Sequence, residues 1–596
     1  VGFKLILLSG CLKAVFCSAS CQFKHWKKHK KVCQYRHSRP VSQKHGDPPH
    51  SSTVEEQKPD KNELHPDFHK EDSYGPVRCA SIPGKGWGLV ATADIQPGTL
   101  LLVSHAFAAM YDDDISIAGR QVSQNKFTVN VVEELLKQLL YRFFSSSMKW
   151  RNCRDAKLLA GNSQQLQELQ PEQNEQPKLC HSEEDWLADL FPRPSDMERS
   201  HEGFGKLSPS HAEILNNLGI ASSTNSSLWQ LSCRLLHVIE KNNYSTANED
   251  MVSRAGTALF PAASLINHSC WPNCTTFVDE AGCDPPSICS KIQLPNFLQD
   301  FCPPSAKLPF VCVRATTVIR QGQEITQSYI PLFPGLPTAR ERMAKLSTIF
   351  GFQCRCERCL IETGTPVPEA VGLKNELFAL QIEVLGAQCF VCNQVIASRQ
   401  ADSPVWECKC GGNVVAKDFF AAVAGLQTAI DLGRELRQKY DKQMQPMVSP
   451  APKQEKSTRI STGEQMVQLL FPILQKVEKF VSATHYLLFE LRCLLSWGLS
   501  LMGDYLGAYL QVDKLFRVYS QASPRNDPLL IMYAMEAMSL CVLCSRSGTG
   551  DANMTQGQWH ERAKEWLAQA MHIHNVCYGG GVELFAQRYS DALDLS

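Results

Sequence analysis

The 596-residue chain has no net charge, because 60 Lys and Arg residues balance 60 Asp and Glu residues. This balance argues neither for nor against a nucleic-acid partner. No apolar run is expected to be long enough to cross a bilayer, so a membrane partner is not predicted. The apolar segment Phe3–Leu8 is not interpreted as a signal peptide, because it is short and lacks a cleavage-site pattern. The length predicts about two to four globular domains.

Cysteine, in contrast, is abundant, with 25 residues. Many cysteines are typical either of secreted disulfide scaffolds or of thiolate metal sites. The length of the chain and its close C-x-C and C-x-x-C spacings favour zinc sites in a reducing compartment. The expected location is therefore the nucleus or the cytoplasm.

The most informative stretch is Asn267–Asn273, NHSCWPN, which follows the apolar run Leu259–Ile266. Buried Asn and His side chains need hydrogen-bond partners, so this pair either locks the backbone or forms a ligand site. Three other segments accompany it: Gly84–Leu89 (GKGWGL), Gly322–Tyr329 (GQEITQSY) and Phe352–Cys359 (FQCRCERC).

In this order, the four segments resemble a SET-domain protein-lysine methyltransferase, in particular the TPR-bearing branch of the SET and MYND family. The resemblance covers most of residues 75–360 and, more weakly, both flanks. It implies a multidomain α+β protein: a β-rich SET fold with a pseudoknot and a zinc-bound post-SET segment, a partial MYND finger, and an α-helical TPR-like array at the C-terminus.

The predicted domain borders follow the motifs and the changes in composition. The expected order is a partial MYND zinc finger (1–36), a linker (37–74), a SET domain (75–340) with a helical, variable insert (115–240), a post-SET zinc segment (341–362), a zinc-ribbon-like region (363–415) and a helical TPR-like domain (416–596).

The resemblance implies S-adenosylmethionine (AdoMet) as cofactor. Closely spaced glycines let a backbone approach a ligand without a Cβ clash, although an ordinary turn has the same pattern. Trp87 stands where the family usually has Arg or Asn, so the side-chain contact between this turn and AdoMet is expected to differ. The residues implied to bind the cofactor are Lys85, Gly86, Trp87, Gly88, Ser264, Leu265, Asn267, His268, Tyr329 and Phe352.

Two tyrosines are the candidate catalytic residues. The family places a tyrosine at the end of the strand that contains Ile325, with its phenol beside the methyl group and the attacking amine, and here this is Tyr329. The family also has an Asn followed closely by an aromatic residue at the border of the lysine channel. Asn242 or Asn243 with Tyr244 match this pattern, and a surface turn is the alternative.

Cys354, Cys356 and Cys359 supply three thiolates, which leave tetrahedral zinc one ligand short. The resemblance takes the fourth ligand from the NHSC motif, here Cys270, so that zinc ties the pocket wall to the Asn-His loop. A second set, Cys389, Cys392, Cys408 and Cys410, is typical of a small zinc ribbon, with four reduced thiols as the alternative.

The N-terminal cysteines resemble the second half of a MYND finger. The first C-x2-C of the family is absent, and Leu8 stands where another cysteine is expected. The segment is therefore either a partly loaded zinc finger or a remnant of one. Its candidate ligands are Cys11, Cys17, Cys21, His29 and Cys33.

The C-terminal third is predicted to be helical, with a polar loop at 443–463. Its Leu and Met stripes are interpreted as packing surfaces of stacked helix pairs that wall one side of the substrate cleft. The expected helices are Phe419–Tyr440, Val477–Leu501, Tyr505–Tyr519, Leu529–Cys544 and Trp559–Val576.

The resemblance implies methyl transfer from AdoMet to a lysine of a histone or non-histone protein. The amine must be neutral, and its orientation in a narrow channel lowers the barrier. One alternative is a catalytically weak adaptor that binds peptide partners through its finger and helical repeats. Another is a nucleic-acid-binding zinc protein, which the basic cluster Lys24–Lys31 favours and the zero net charge disfavours.

Overall fold

A computed structural model describes residues 73–111, 131–140, 208–220, 227–246, 256–283, 308–336, 338–363, 386–396, 403–443, 452–547 and 554–593. The predicted finger ligands, most of the linker, residues 284–307 and most of the insert lie outside the described residues.

The first half of the chain is built from short strands. They form two four-stranded sheets, ordered β1-β4-β10-β9 and β2-β3-β11-β8, and a three-stranded sheet ordered β5-β7-β6. The strands are β1 (Ser73–Tyr74), β2 (Val77–Ile82), β3 (Gly86–Ala91), β4 (Leu100–His105), β5 (Ala108–Tyr111), β6 (Asn243–Ser245), β7 (Gly256–Leu259), β8 (Asn267–His268), β9 (Cys274–Cys283), β10 (Leu308–Ala315) and β11 (Glu324–Gln327).

Strand β10 shows why these segments form a sheet. Its side chains alternate between the core and a less buried face, so Val311, Val313 and Ala315 pack inward. It lies between β4 and β9 and pairs antiparallel with both. The first strand, β1, falls in the last two residues of the segment predicted as linker, and it pairs with β4.

Strand β11 is held between two strands that precede it in the chain. It pairs antiparallel with β3 and parallel with β8, where Thr326 lies opposite Asn267 and Gln327 opposite His268. The Asn273 amide fixes β11 further, because its Nδ2 donates to the Glu324 carbonyl and its Oδ1 accepts from the Thr326 N–H. The NHSC loop and the end of β11 are thereby held side by side, as the pseudoknot predicts. Tyr329 lies two residues beyond the strand rather than within it.

Helices cover this β region and continue beyond it. Residues 131–140 are helical, as predicted for the insert, and pack with α1 (Pro209–Asn217) and α2 (Ser227–Asn242) in one apolar cluster. A 3-10 turn at Ala263–Leu265 leads into β8. Helices α3 (Ala339–Phe350) and α4 (Glu357–Glu362) follow β11, and a capping box at Thr338 and Glu341 begins α3.

The C-terminal third is helical, as predicted. Two small hairpins precede it, β12 (Ala387–Gln388) with β13 (Val395–Ile396), and β14 (Val405–Glu407) with β15 (Asn413–Val415). The helices are α5 (Ala416–Gln443), α6 (Pro452–Val477), α7 (Tyr486–Met502), α8 (Tyr505–Ala522), α9 (Leu529–Ser547), α10 (Gln556–Tyr578) and α11 (Gly581–Leu593). Helices consecutive in the chain pack against each other, and their short connections make them antiparallel.

Two predicted boundaries in this region are wrong. The loop predicted at 443–463 is helical from Pro452, because Met466, Leu470 and Leu474 give α6 a buried stripe at helical spacing. The helix predicted over Val477–Leu501 begins only at Tyr486, as α7; Val477 is the last residue of α6, and residues 478–485 are not helical. Between them, Val481 forms a β-bridge with Ala387 of β12.

Helix α9 corrects the expectation that no apolar run could span a bilayer. By length and mean hydropathy, Leu529–Ser547 meets the criterion for a membrane span, and it does so alone among the described residues. Most of its side chains, including Leu530, Ala534 and Met538, are buried among the neighbouring helices. Core helices of globular domains have the same composition, so the sequence pattern does not identify a membrane segment.

The helical array packs on the SET region through β9 and β10. The Phe277 and Tyr578 rings lie 5.4 Å apart, and the Arg588 guanidinium lies 4.4 Å above Phe277. Phe333 packs between Phe489 and Tyr519 of the array, at 5.0 and 6.0 Å. The array therefore contacts the SET region, but within the described ranges it supplies none of the residues that line the two cavities described below. The predicted wall of the substrate cleft stays a prediction.

Candidate active site and metal centres

The larger cavity has a volume of about 710 Å³ and lies between the Gly84–Trp87 turn, the NHSC loop and the Phe350–Cys356 segment. Gly84 and Gly86 have positive φ angles of 72° and 82°, which only glycine adopts easily. The charged side chains on its lining are the cationic Lys85, Lys241 and Arg355, and aromatic rings form another part of it. A cavity of this size, with aromatic and cationic walls, fits a nucleoside that carries a carboxylate.

A smaller cavity of about 260 Å³ is also lined by Tyr329. It is lined in part by Tyr244, Thr276 and Gln327. The two cavities share the lining residues Lys241, Asn242, Ser264, Tyr329 and Phe350. The two cavities therefore adjoin, and Tyr329 is one of the residues at their common border.

Asn267 holds the wall of the larger cavity together. Its Nδ2 donates to the Trp87 carbonyl at 3.0 Å and to Glu324 Oε1 at 2.9 Å. The other Glu324 oxygen forms an ion pair with Lys85 at 2.6 Å. A Cβ at position 88 would lie only 2.7 Å from Asn267 Nδ2, so Gly88 is required for this close approach. Three separate segments of the chain are joined by this network.

His268 connects the NHSC loop to Tyr329. Its Nδ1 accepts the Tyr329 backbone N–H at 3.0 Å, and its Nε2 lies 3.2 Å from Cys270 Sγ. Because Nδ1 is an acceptor, the ring proton sits on Nε2 and can be donated to the sulfur. The imidazole ring also packs 5.4 Å from the Tyr329 ring and 6.2 Å from the Phe352 ring.

Both candidate catalytic phenols are held by backbone carbonyls. Tyr329 donates to the Ile266 carbonyl at 2.7 Å, and Tyr244 donates to the Ala263 carbonyl at 2.8 Å. Burial raises the pKa of both phenols above the usual value. They therefore stay protonated at neutral pH, and their oxygen lone pairs remain available as hydrogen-bond acceptors.

The structure gathers nearly all the predicted site residues. Those on the lining of the larger cavity are Lys85, Gly86, Trp87, Ser264, Leu265, Asn267, His268, Tyr329 and Phe352. Tyr244 lines the smaller cavity, whereas Gly88 lies behind the wall. Their roles in binding and catalysis stay predictions.

Sequence reasoning missed several residues of the site, namely Glu324, Lys241, Gln327 and Phe350. The Lys241 ammonium donates to the Ile349 carbonyl and so joins α2 to the end of α3. Phe350 packs 5.1 Å from the Tyr329 ring. Glu324 lies inside the recognised GQEIT motif, so its charge was a usable signal. Gln327 lies in the same GQEITQSY segment, but its side chain was not singled out, and no local pattern marks Lys241 or Phe350.

The four cysteines predicted to form the first metal centre converge. All the sulfurs of Cys270, Cys354, Cys356 and Cys359 lie within 4.8 Å of one another, and all four residues are buried. Cys270 Sγ is 3.9 Å from Cys354 Sγ and 3.5 Å from Cys359 Sγ. Tetrahedral zinc with bonds near 2.3 Å requires sulfurs about 3.8 Å apart. The donor set and its spacing therefore fit zinc.

Buried arginines surround this cluster. Four thiolates and one zinc ion carry a formal charge of about −2. Arg342 donates to Cys359 Sγ, Arg358 donates to the Cys270 carbonyl, and both form ion pairs with Glu362 at 2.7 and 2.9 Å. The side chains of all three are almost fully buried. These cations partly offset the negative charge of the loaded centre, which is otherwise costly to bury.

The second predicted set also converges, and its sulfurs likewise lie within 4.8 Å of one another. Cys389 pairs with Cys410 at 3.6 Å, and Cys392 with Cys408 at 3.5 Å, across the two hairpins. Backbone N–H groups of Cys392 and Val391 lower the pKa of the Cys389 thiol to about 7, which favours the metal-binding thiolate. This set lies nearer the surface, with Cys410 exposed.

Two family models match the chain. Residues 86–330 match the model described as SET domain, and residues 4–33 match the model described as ZMYND11/ZMYD8, MYND zinc finger. The second match covers the predicted finger, residues 1–36, except for three residues at each end. Zinc as a cofactor is supported by both the finger match and the two cysteine clusters.

Part of the chain is similar to curated lysine methyltransferases. The chain is 27% identical to mouse (Mus musculus) "Histone-lysine N-methyltransferase Smyd1" over 25% of this chain and 25% of that protein. It is 24% identical to mouse "Protein-lysine N-methyltransferase SMYD4" over 52% of this chain and 31% of that protein. The chain thus spans less than a third of either relative.

One solved structure with a detectable likeness is the SET domain of LSMT bound to lysine and AdoHcy. The two chains are 11% identical in an alignment that covers 74% of this chain and 88% of the LSMT chain, and they superimpose with a TM-score of 0.22. This score is too low to indicate a shared overall shape.

Proposed function

We propose that this chain, which matches the SET domain and MYND zinc finger models, transfers a methyl group from AdoMet to a lysine side chain of a protein. The observation that carries this proposal is that the two cavities meet at Tyr329. Methyl transfer to an amine is an in-line displacement, which needs the cofactor and the amine on opposite sides of the reacting carbon. Two adjoining cavities that share Tyr329 can hold the cofactor and the amine next to each other for this displacement.

The larger cavity suits AdoMet, which supplies an electrophilic methyl group on its sulfonium sulfur. Phe352 and His268 offer aromatic surfaces for the adenine ring, and Lys85 and Lys241 offer charge for the carboxylate. The smaller cavity, bordered by Tyr244 and Phe350, suits the extended side chain of a lysine. Its narrowness strips water from the amine, and the loss of hydration favours the neutral, reactive form.

Tyr329 has the central role in this proposal. Its hydroxyl proton is committed to the Ile266 carbonyl, so the oxygen faces the cavities as an acceptor. It can hold one N–H of the neutral amine, which orients the nitrogen lone pair. The described lining contains no carboxylate or free imidazole that could serve as a general base, so the proton released is proposed to reach solvent.

A test of the proposal uses the full chain, AdoMet with a labelled methyl group, and a cell extract whose own methyltransferases have been inactivated by heat. Labelled methyllysine in protein is the expected result. Isothermal titration with AdoMet, run in parallel, separates binding from transfer. A protein that binds AdoMet but labels no lysine would contradict the proposal.

An adaptor is the second candidate, and Trp87 favours it. The indole lines the larger cavity where related proteins are expected to present a polar side chain. If the indole occupies the space of the cofactor, AdoMet will not bind, and the protein would act through peptide partners of its finger and helical array. No heat of AdoMet binding in the titration, together with restored binding in Trp87→Asn, would favour the adaptor.

A further inference from the structure

We propose that Gln327 is a specificity-determining residue, whose side-chain oxygen accepts a hydrogen bond from the target amine and so disfavours trimethylation. The inference rests on the proposed methyl transfer. It concerns the amide of one buried glutamine, which lies in the GQEITQSY segment but was not predicted as a site residue.

The orientation of the Gln327 amide is fixed by Tyr244. The Tyr244 hydroxyl donates its proton to the Ala263 carbonyl at 2.8 Å, so its oxygen can only accept from Gln327. The Gln327 Nε2 group lies 2.5 Å from that oxygen and is the donor. The amide nitrogen therefore faces Tyr244, and a flipped amide would bring two acceptors together.

A second contact uses the other N–H of the amide. Nε2 lies 3.5 Å from the Ile266 carbonyl, the same oxygen that accepts the Tyr329 hydroxyl. Both donors of Gln327 are thus directed at protein atoms. Its Oε1 accepts no hydrogen bond from any described residue, and it is the part of the amide left for a ligand.

Gln327 lies where a ligand can reach it. The residue is buried, only 6% exposed, and yet it lines the smaller cavity beside Tyr244 and Tyr329. Its backbone is held rigidly, because its carbonyl accepts from the Ser269 N–H at 2.9 Å and it sits in register with His268. A rigid acceptor beside Tyr329 is well placed to bond an amine that approaches the junction of the cavities.

The chemistry of the amine makes this acceptor selective. A neutral primary amine points its lone pair at the methyl carbon and has two N–H groups for Tyr329 Oη and Gln327 Oε1. The N–C bond forms as the C–S bond of AdoMet breaks, the electron pair stays on sulfur, and one N–H proton then leaves to solvent. A dimethylated amine has no N–H left. A third transfer would leave the Gln327 oxygen buried without a partner, which is costly.

The test compares Gln327→Met, which keeps the length of the side chain but removes both polar atoms, with Gln323→Met. Gln323 is exposed, lies in the turn before β11 and lines neither cavity. Each full-length variant is incubated with methyl-tritiated AdoMet and a heat-treated cell extract. Total acid hydrolysis followed by chromatography gives the amounts of mono-, di- and trimethyllysine whatever the target protein is.

Gln327→Met is expected to raise the ratio of trimethyllysine to monomethyllysine about tenfold, as the loss of one hydrogen-bond preference predicts. Gln323→Met should keep the wild-type ratio. An unchanged ratio in a folded Gln327→Met would overturn the proposal, since a merely structural role changes the total rate and not the product ratio.

If Gln327→Met does not fold, Tyr244→Phe gives a second test. It removes the oxygen that fixes the amide but leaves Gln327 in place, so the ratio should rise in the same direction. A wild-type ratio in this variant overturns the role of Gln327 alone. A wild-type protein that forms no methyllysine overturns the proposed function, and the role of Gln327 with it.

Discussion

His268 and Cys270 are in hydrogen-bond contact, with Nε2 of the histidine 3.2 Å from Sγ of the cysteine. The same imidazole accepts the backbone N–H of Tyr329 through Nδ1. One ring therefore connects a predicted zinc ligand to the residue at the junction of the two cavities. Outer contacts of this kind fix both the metal ligand and the tyrosine.

This connection predicts that the two cysteine clusters differ in their effect on activity. Cys359→Ser should lower the zinc content by about one ion per chain and lower methyl transfer, because the centre that holds Cys270 is broken. Cys410→Ser should also remove about one ion but keep most of the transfer. Metal analysis by mass spectrometry and a transfer assay give both values. Equal losses of transfer in the two variants would contradict a specific link through His268.

Tyr329→Phe should lower the rate of methyl transfer about a hundredfold while AdoMet binding stays largely intact. The ring still packs on Phe350 and His268, but the acceptor for the amine is gone. One hydrogen bond made in the transition state is worth about 3 kcal/mol. The rate is measured at saturating AdoMet, with titration calorimetry as the binding control. Equal transfer rates in the wild type and Tyr329→Phe would refute the role assigned to the Tyr329 hydroxyl.

Asn267→Ala should weaken AdoMet binding about tenfold, because its amide joins the Trp87 carbonyl to Glu324 at the cavity wall. Gln323→Ala serves as the control, since that side chain is exposed in the turn before the same strand. Dissociation constants are measured by calorimetry. If both variants bind AdoMet as tightly as the wild type, the network does not shape the cofactor pocket.

Acid should destabilise the helical array through His574. This ring is fully buried among Tyr578, Phe585 and Tyr589, and burial lowers its pKa from 6.5 to about 3. Between these two pH values the unfolded chain binds a proton that the folded chain does not, so stability is complete above pH 6.5 and falls as the pH drops.

The matching measurement is urea unfolding at pH 7 and pH 5 of the wild type and of His574→Phe. Replacing the ring by phenyl should reduce the acid-induced loss of unfolding free energy by about 2 kcal/mol. His485, whose pKa burial lowers to about 4, titrates in the same direction and remains in both proteins. An identical acid-induced loss in wild type and variant would show that His574 does not carry this effect.

The sequence predicted those site residues that lie close together in the chain at characteristic spacings. The C-x-C-x2-C run predicts three zinc ligands directly, and the closely spaced glycines of GKGWG predict the close backbone approach that Gly88 makes to Asn267. The fourth ligand, Cys270, is 84 residues from Cys354 and could be assigned only through the family resemblance. Gln327 and Lys241 gain their positions from packing between β11, α2 and α3. Residues that meet only through such packing leave no periodic signal.

The helix boundaries show the same limit. Alternation and helical stripes predicted most elements, but the break between α6 and α7 depends on the bridge between Val481 and Ala387, which are 94 residues apart in the numbering. Likewise, α9 has the composition of a membrane span because it lies at the centre of a helical array. In both cases the structure depends on contacts with residues distant in the sequence, which the local pattern does not predict.

The contact of Phe277 and Phe333 with the helical array has a practical consequence for truncation. Thr276 lines the smaller cavity, and its neighbour Phe277 packs on Tyr578. A fragment that stopped after α4, at residue 363, would expose both phenylalanines to water and leave the strand beside the smaller cavity unsupported. The smallest piece of this chain that can be expressed as a soluble, autonomous folding unit should therefore extend through α11.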